Sequence, residues 1–187
     1  WLGLSIQHAP HWHTYWKNAG DSGLPTTLSW QLPAGVQAGE IQWPTPKQLR
    51  IGPLMNYGYE GKLLLPVPVT VGPSFAGNAL DIKLSAQWLV CKDVCIPESG
   101  EFALELPARS AWSAQAADFE AAFAAKPQPL SGATASASLA DNGLVVEVSG
   151  LPADWAGKAI EFFPETAGVL DNASPRTAQW SGNRWTL

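Results

Sequence analysis

The sequence predicts an all-β protein: an antiparallel sandwich, then a helical linker, then a second, smaller β-rich module. Three observations point there. Short stretches alternate apolar and polar residues along most of the chain, as half-buried strands do. Seventeen glycines and 16 prolines punctuate those stretches as turns do. Only "SAWSAQAADFEAAFAAK" repeats its apolar residues at helical spacing. With 46% apolar and 14% charged residues, the 187-residue chain can build a core. Regular short strands favour a sandwich over a barrel.

The first strand is "LGLSIQ" (2–7). "HWHTYW" (11–16) continues the alternation, with His11, His13 and Tyr15 on one face and Trp12, Thr14 and Trp16 on the other. "GDSGLP" (20–25) reads as a turn with Asp21 solvated, and "TTLSWQL" as the next strand. From 40 to 61, Pro44, Pro46, Gly52, Pro53, Gly58 and Gly61 break the pattern, so the segment reads as an ordered loop with Glu60 solvated. "KLLLPVPVTV" is apolar enough for a strand, but Pro66 and Pro68 lack backbone donors and push it to a sheet edge. "ALDIKLSAQWLV" and "EFALELPA" alternate on either side of two cysteines and predict a hairpin.

After Pro107, Trp112, Ala116, Phe119 and Phe123 share a helix face, with Pro127 just beyond its end. "TASASLA", turn residues at 141–143 and "LVVEVSG" then predict a hairpin. "AIEFFP" and the pair "TAQW" and "RWTL" around "SGN" complete the second module as strands. The expected boundaries are 1–108 for the first module, 109–129 for the linker and 130–187 for the second. The chain opens and stops inside alternating patterns, without an initiator Met or signal peptide, and reads as an excerpt of a longer protein.

Composition excludes several classes. A net charge of −5 without a basic run argues against a nucleic-acid partner. No apolar stretch approaches the roughly 20 residues that span a bilayer. Membrane attachment would therefore come through parts absent from this chain. There is no Gly-rich phosphate loop, no G-x-S-x-G and no H-E-x-x-H. Most of the ten tryptophans are expected in packing.

The chemistry rests on "WLVCKDVCIPE" (88–98), where three residues separate Cys91 from Cys95. A staple closing a loop of about five residues contributes roughly 2 kcal/mol, near the low end for disulfides. A core of this size does not depend on that. Strained or exposed disulfides are the readily reduced ones, which motivates a redox role. Two thiolates could also hold Cu(I), with His11 or His13 as a further ligand. A closed zinc site needs four ligands, and there is no second cysteine pair. His8 faces away from His11 and His13, and a strand His beside aromatics is commonly packing or surface. Spacing alone leaves staple, redox pair and copper site open.

Three segments carry a resemblance: "HAPHWHTYWKNAGDSGLPTTLSWQLP", "IQWPTPKQLRIGPLMNYGYEGKLLLPVPVTV" and "WLVCKDVCIPESGEFALELP". Together, over about residues 1–107, they resemble the N-terminal periplasmic domain of DsbD-type thiol:disulfide interchange proteins. The match is to the ScsB-like branch, membrane reductases linked to copper tolerance. Residues 130–187, with "EFFPETAGVLDNASP", resemble the second extracytoplasmic segment of that branch.

The resemblance implies an immunoglobulin-like sandwich in the periplasm, the extracytoplasmic part of a bacterial inner-membrane protein. It implies a redox-active disulfide as the whole chemistry, with no cofactor and no metal. Electrons would arrive from a thioredoxin-like domain of the same protein and leave to oxidised periplasmic thioredoxin-fold proteins. By position, Cys91 and Cys95 match the catalytic pair, and Cys95 matches the cysteine that forms mixed disulfides. His13 and Tyr15 fall where the family has two aromatic active-site neighbours. "IGPLMNYG" (51–58), with Leu54, Met55, Asn56 and Tyr57, falls where a cap loop covers the disulfide. Better-known members space their cysteines more widely and carry an acidic pair and a Phe in the cap, which this sequence lacks.

Overall fold

A computed structural model describes residues 1–108, 114–140 and 143–187. Strands β1 (Leu2–Gln7), β2 (His13–Gly20), β3 (Thr27–Gln31), β4 (Val36–Ala38), β5 (Lys47–Ile51), β6 (Leu54–Glu60), β7 (Lys62–Val67), β8 (Val69–Val71), β9 (Ala79–Cys91) and β10 (Cys95–Pro107) come first. Helix α1 (Ala116–Ala124) follows. Strands β11 (Thr134–Ala140), β12 (Gly143–Ser149), β13 (Gln179–Ser181) and β14 (Arg184–Thr186) complete the chain.

The protein is all-β, and its first ten strands form an immunoglobulin-like antiparallel sandwich. The main sheet runs β10-β9-β2-β6-β5, with β3 also paired to β9. The pairs β1-β7 and β4-β8 are separate. Alternation decides which side chains enter the core. On β9, Leu80, Ile82, Leu84 and Ala86 are buried, while Ala79, Asp81 and Lys83 between them are exposed. Leu2 and Leu4 of β1 meet that buried row. Leu63 and Leu65 of β7 meet Trp16, Tyr57 and Tyr59. Leu65 is wholly buried. Leu65→Ala should therefore lower stability by about 2–5 kcal/mol in urea unfolding, by lost transfer energy plus a cavity.

The second sheet, β11-β12-β14-β13, has its own core of Val146, Leu151 and Trp185, with Phe162 and Trp180 packed on it. Helix α1 lies over the β1-β7 side. Its Phe123 ring stands 4.7 Å from that of Trp1, and Phe119 packs beside Gly3. Trp112 lies outside the described residues, as do positions 141 and 142 of the expected turn. The expected edge position of "KLLLPVPVTV" holds, because β7 has β1 as its single sheet partner among the described residues.

Three expectations are corrected. The segment 40–61 is a loop only over 40–46, since β5 and β6 pair as a hairpin over the rest. Pro44 and Pro46 precede the hairpin, and Gly52, Pro53 and Gly58 serve it instead of breaking it. Gly52 takes φ 57° at the turn beside Pro53. Gly58 lets the Thr14 carbonyl approach so closely that a Cβ would lie 2.1 Å from its oxygen. His11 does not share a strand face with His13 and Tyr15, because it is exposed in a turn at φ 69° before β2 starts. "AIEFFP" forms no strand. Its alternation serves two cores, with Phe162 entering the second module and Phe163 packing on the first.

Candidate functional site

The β9–β10 hairpin positions the cysteines. The two strands pair in register along their whole length, and Cys91 opposite Cys95 is the last pair. Lys92–Val94 make the turn, closed by Lys92 N–H donating to the Val94 carbonyl at 3.0 Å. A disulfide joins the two cysteines. The two cysteines are not equally exposed. Cys91 is 2% exposed, whereas Cys95 is exposed between Val94 and Ile96, at 62% and 42%.

Cys91 also faces His13 of β2 across the sheet. Alternation then sends the Tyr15 side chain the same way as His13. The Tyr15 hydroxyl stands 3.8 Å from Cys95 Sγ and 3.3 Å from His13 Nε2, and the two rings meet edge-on. Both residues are buried. Burial raises the Tyr15 phenol above its ordinary value, partly offset by a hydrogen bond with Ser22, so the hydroxyl keeps its proton. That single proton can serve either the imidazole or the sulfur. Burial lowers His13, with Glu60 opposing, so its ring is neutral at neutral pH.

His8 is lowered as well, by burial that outweighs its backbone hydrogen bond. Its Nδ1 lies 2.6 Å from the Gly61 carbonyl, which can only accept. Nδ1 therefore carries the proton, and Nε2 accepts from the Thr14 hydroxyl at 3.0 Å. These two depressed values set a pH dependence. As pH falls below 6.5, the unfolded chain takes up protons that folded His8 and His13 refuse. Stability should fall with pH through that window and level off once the folded histidines protonate. Urea midpoints from neutral to mildly acidic pH check this, and His8→Gln with His13→Gln should flatten the curve.

The wall over Tyr15 comes from residues 20–25. Gly23 packs so closely that a Cβ would lie 2.3 Å from the Tyr15 ring, and Pro25 bridges to Tyr15. Asn56 holds this wall, its Oδ1 accepting from Ser22 N–H at 3.0 Å and from Ser22 Oγ at 3.1 Å. Asp21, expected in solvent, instead accepts from Met55 N–H at 2.8 Å and Asn172 Nδ2 at 2.8 Å. Leu54, Met55, Asn56 and Tyr57, expected in a loop, are the first residues of strand β6. Asn56 and Tyr57 are buried, and Leu54 is exposed beside the turn.

The structure thus brings together Cys91, Cys95, His13 and Tyr15, and leaves His11 on the surface. Among the described residues, no three His, Cys, Asp or Glu side chains gather as a metal site. Sequence reading missed Asp21, Ser22, Asn172 and Arg176. Its one available signal was the polar cluster "GDSG" directly after a strand.

Comparison with known proteins gives the family and the fold. No curated protein matches the chain. The crystal structure of the N-terminal periplasmic domain of ScsB from Proteus mirabilis is similar at 19% identity and TM-score 0.66. The match covers 98% of this chain and 70% of that one, and at that identity it is a likeness of fold. The family described as thiol:disulfide interchange protein DsbD, N-terminal, matches residues 1–107. With its disulfide hairpin inside the matched region, the chain belongs to the DsbD N-terminal family of thiol:disulfide interchange proteins.

Proposed function

We propose that this chain is a periplasmic electron relay, cycling between a Cys91–Cys95 disulfide and a dithiol, and that Cys95 is the sulfur partners attack. The observation that carries it is the unequal exposure of the two cysteine residues, Cys91 buried and Cys95 exposed. In the reducing half, a thiolate of the donor's thioredoxin-like domain attacks Cys95 Sγ, and the Cys91 thiolate leaves. The donor's second cysteine then attacks its own mixed-disulfide sulfur and releases the Cys95 thiolate. Two electrons enter, two protons follow, and the donor becomes a disulfide. In the delivering half, the Cys95 thiolate attacks the disulfide of an oxidised thioredoxin-fold protein. Cys91 then attacks Cys95 Sγ, the relay disulfide reforms, and the partner leaves as a dithiol.

Tyr15 and His13 serve these steps from the side. When negative charge develops on Cys95, the Tyr15 hydroxyl can turn its proton from His13 Nε2 to the sulfur. Among the described residues, no helix is long and apolar enough to cross a membrane. The reading therefore assigns attachment and electron supply to other parts of a larger protein.

The test mixes the oxidised chain with a reduced thioredoxin-fold protein, quenches with an alkylating reagent and counts thiols. Both cysteines should become alkylated as the donor loses its thiols, at an unchanged rate with copper chelated away. Transfer that stops on chelation would replace the relay with a copper-dependent reading. No transfer at all would leave the disulfide a staple.

A further inference from the structure

The stretch 162–176 of the second module lies against strands β2 and β6 of the first. Phe163 packs on Trp16 and Tyr57, with ring centroids 6.3 and 5.5 Å apart. Asn18 Nδ2 donates to the Pro164 carbonyl at 2.7 Å. The Tyr57 hydroxyl donates to Asn172 Oδ1 at 3.0 Å and accepts from Arg176 Nη2 at 2.6 Å. Asn172 Nδ2 donates in turn to Asp21, and Arg176 Nη1 donates to the Phe162 carbonyl at 2.9 Å. Desolvation pushes the Asp21 carboxyl up. The hydrogen bonds from Met55 and Asn172, with the charge of Arg176, outweigh that and hold it below the ordinary carboxylate range.

This network does not end at the interface. Asp21 and Ser22 are adjacent, and Ser22 is held by Asn56, whose chain neighbours Met55 and Tyr57 are the same network's partners. Ser22, Gly23 and Pro25 then meet Tyr15, whose hydroxyl is 3.8 Å from Cys95 Sγ. Tyr15, Asn56 and Tyr57 are 0–1% exposed and Asn172 6%. Buried polar groups satisfied this way have one arrangement, and removing a member leaves its partners unsatisfied.

We propose that Asn172 and Arg176 of the second module are positioning residues for the redox pair. By holding Asp21 and Tyr57 they set the 20–25 wall against Tyr15, and so fix the hydroxyl that faces Cys95. The second module is then part of the exchange site's scaffold. This rests on the exchange role proposed above. Its consequence is specific: loosening Asn172 acts on Cys95 only through Tyr15.

The test uses the whole 187-residue chain carrying Cys91→Ser, where Cys95 is the only thiol. Alkylation of Cys95 by iodoacetamide is followed against pH, with thermal unfolding as the check on folding. Asn172→Ala should move the midpoint to higher pH and slow alkylation at neutral pH by roughly three- to tenfold. Arg176→Gln should do the same, and serves alone if Asn172→Ala does not fold. In a Tyr15→Phe background either change should add nothing, a non-additivity that general loosening does not produce. Glu165→Gln, which removes the exposed Lys17–Glu165 ion pair at the same interface, should leave the profile in place. Equal slowing with and without the Tyr15 hydroxyl overturns the proposal, as does an unchanged profile in folded Asn172→Ala or Arg176→Gln. A wild-type chain that exchanges with no thioredoxin-fold protein would instead overturn the exchange role itself.

Discussion

Replacing Cys91 with serine should make a mixed disulfide between Cys95 and a thioredoxin-fold partner accumulate. In the delivering half of the proposed cycle Cys95 attacks first, and only Cys91 can resolve the complex in the forward direction, to the relay disulfide and a reduced partner. Without Cys91 its one internal exit is back to the starting pair, by attack of the partner's freed cysteine, so the mixed disulfide builds up as far as that back-reaction allows. Cys95→Ser leaves the thiol of Cys91, a residue that is 2% exposed in the native hairpin. An incoming partner disulfide cannot approach a sulfur placed there, so trapping should be at least about tenfold weaker. Non-reducing gels of each variant mixed with the same oxidised partner read the difference directly. Equal trapping by both variants would remove the distinction between an attacking and a resolving cysteine.

The largest loss of stability from a single added methyl is expected at Gly58. It sits opposite Tyr15 in the β2–β6 pairing, and a Cβ there would lie 2.1 Å from the Thr14 carbonyl oxygen. The obstructing atom is backbone, so no side-chain rotation relieves it. Thr14 itself stands between His13 and Tyr15, so relief can come only by moving the strand that carries both. Gly58→Ala should cost about 3 kcal/mol, the upper end for overpacking. For a chain of this length that lowers Tm by roughly 6–12 °C. Disulfide exchange should slow as well. A variant with unchanged Tm would show that β2 and β6 are not packed this closely.

The hairpin holding the cysteines was legible because alternation on both sides of "CKDVC" forces the strand ends together. His13 and Tyr15 were legible for the same reason, being two apart on one strand. His11 broke the pattern because a left-handed turn residue resets which face the chain presents. The β5–β6 hairpin was hidden by counting Gly52, Pro53 and Gly58 as interruptions. One pair makes the turn, and the third is the strand residue that close approach demands. "AIEFFP" misled in the opposite way. Its alternation is real, but the two phenylalanines divide between two cores instead of two faces of one sheet. Asp21, Asn172 and Arg176 were out of reach of any periodicity. Their bonds join residues 115 to 151 positions apart, and a lone polar residue in a turn carries no sign of its partner.

The reduction potential of the Cys91–Cys95 disulfide tests the central claim most directly. Equilibrating the chain with defined glutathione or thioredoxin buffers and counting alkylated thiols gives the value. An exchange pair must both accept and release electrons within reach of thioredoxin-fold partners. The account predicts a potential of about −180 to −270 mV, the span between protein disulfide isomerase and thioredoxin. A value below about −300 mV, where structural disulfides of secreted proteins lie, would contradict it.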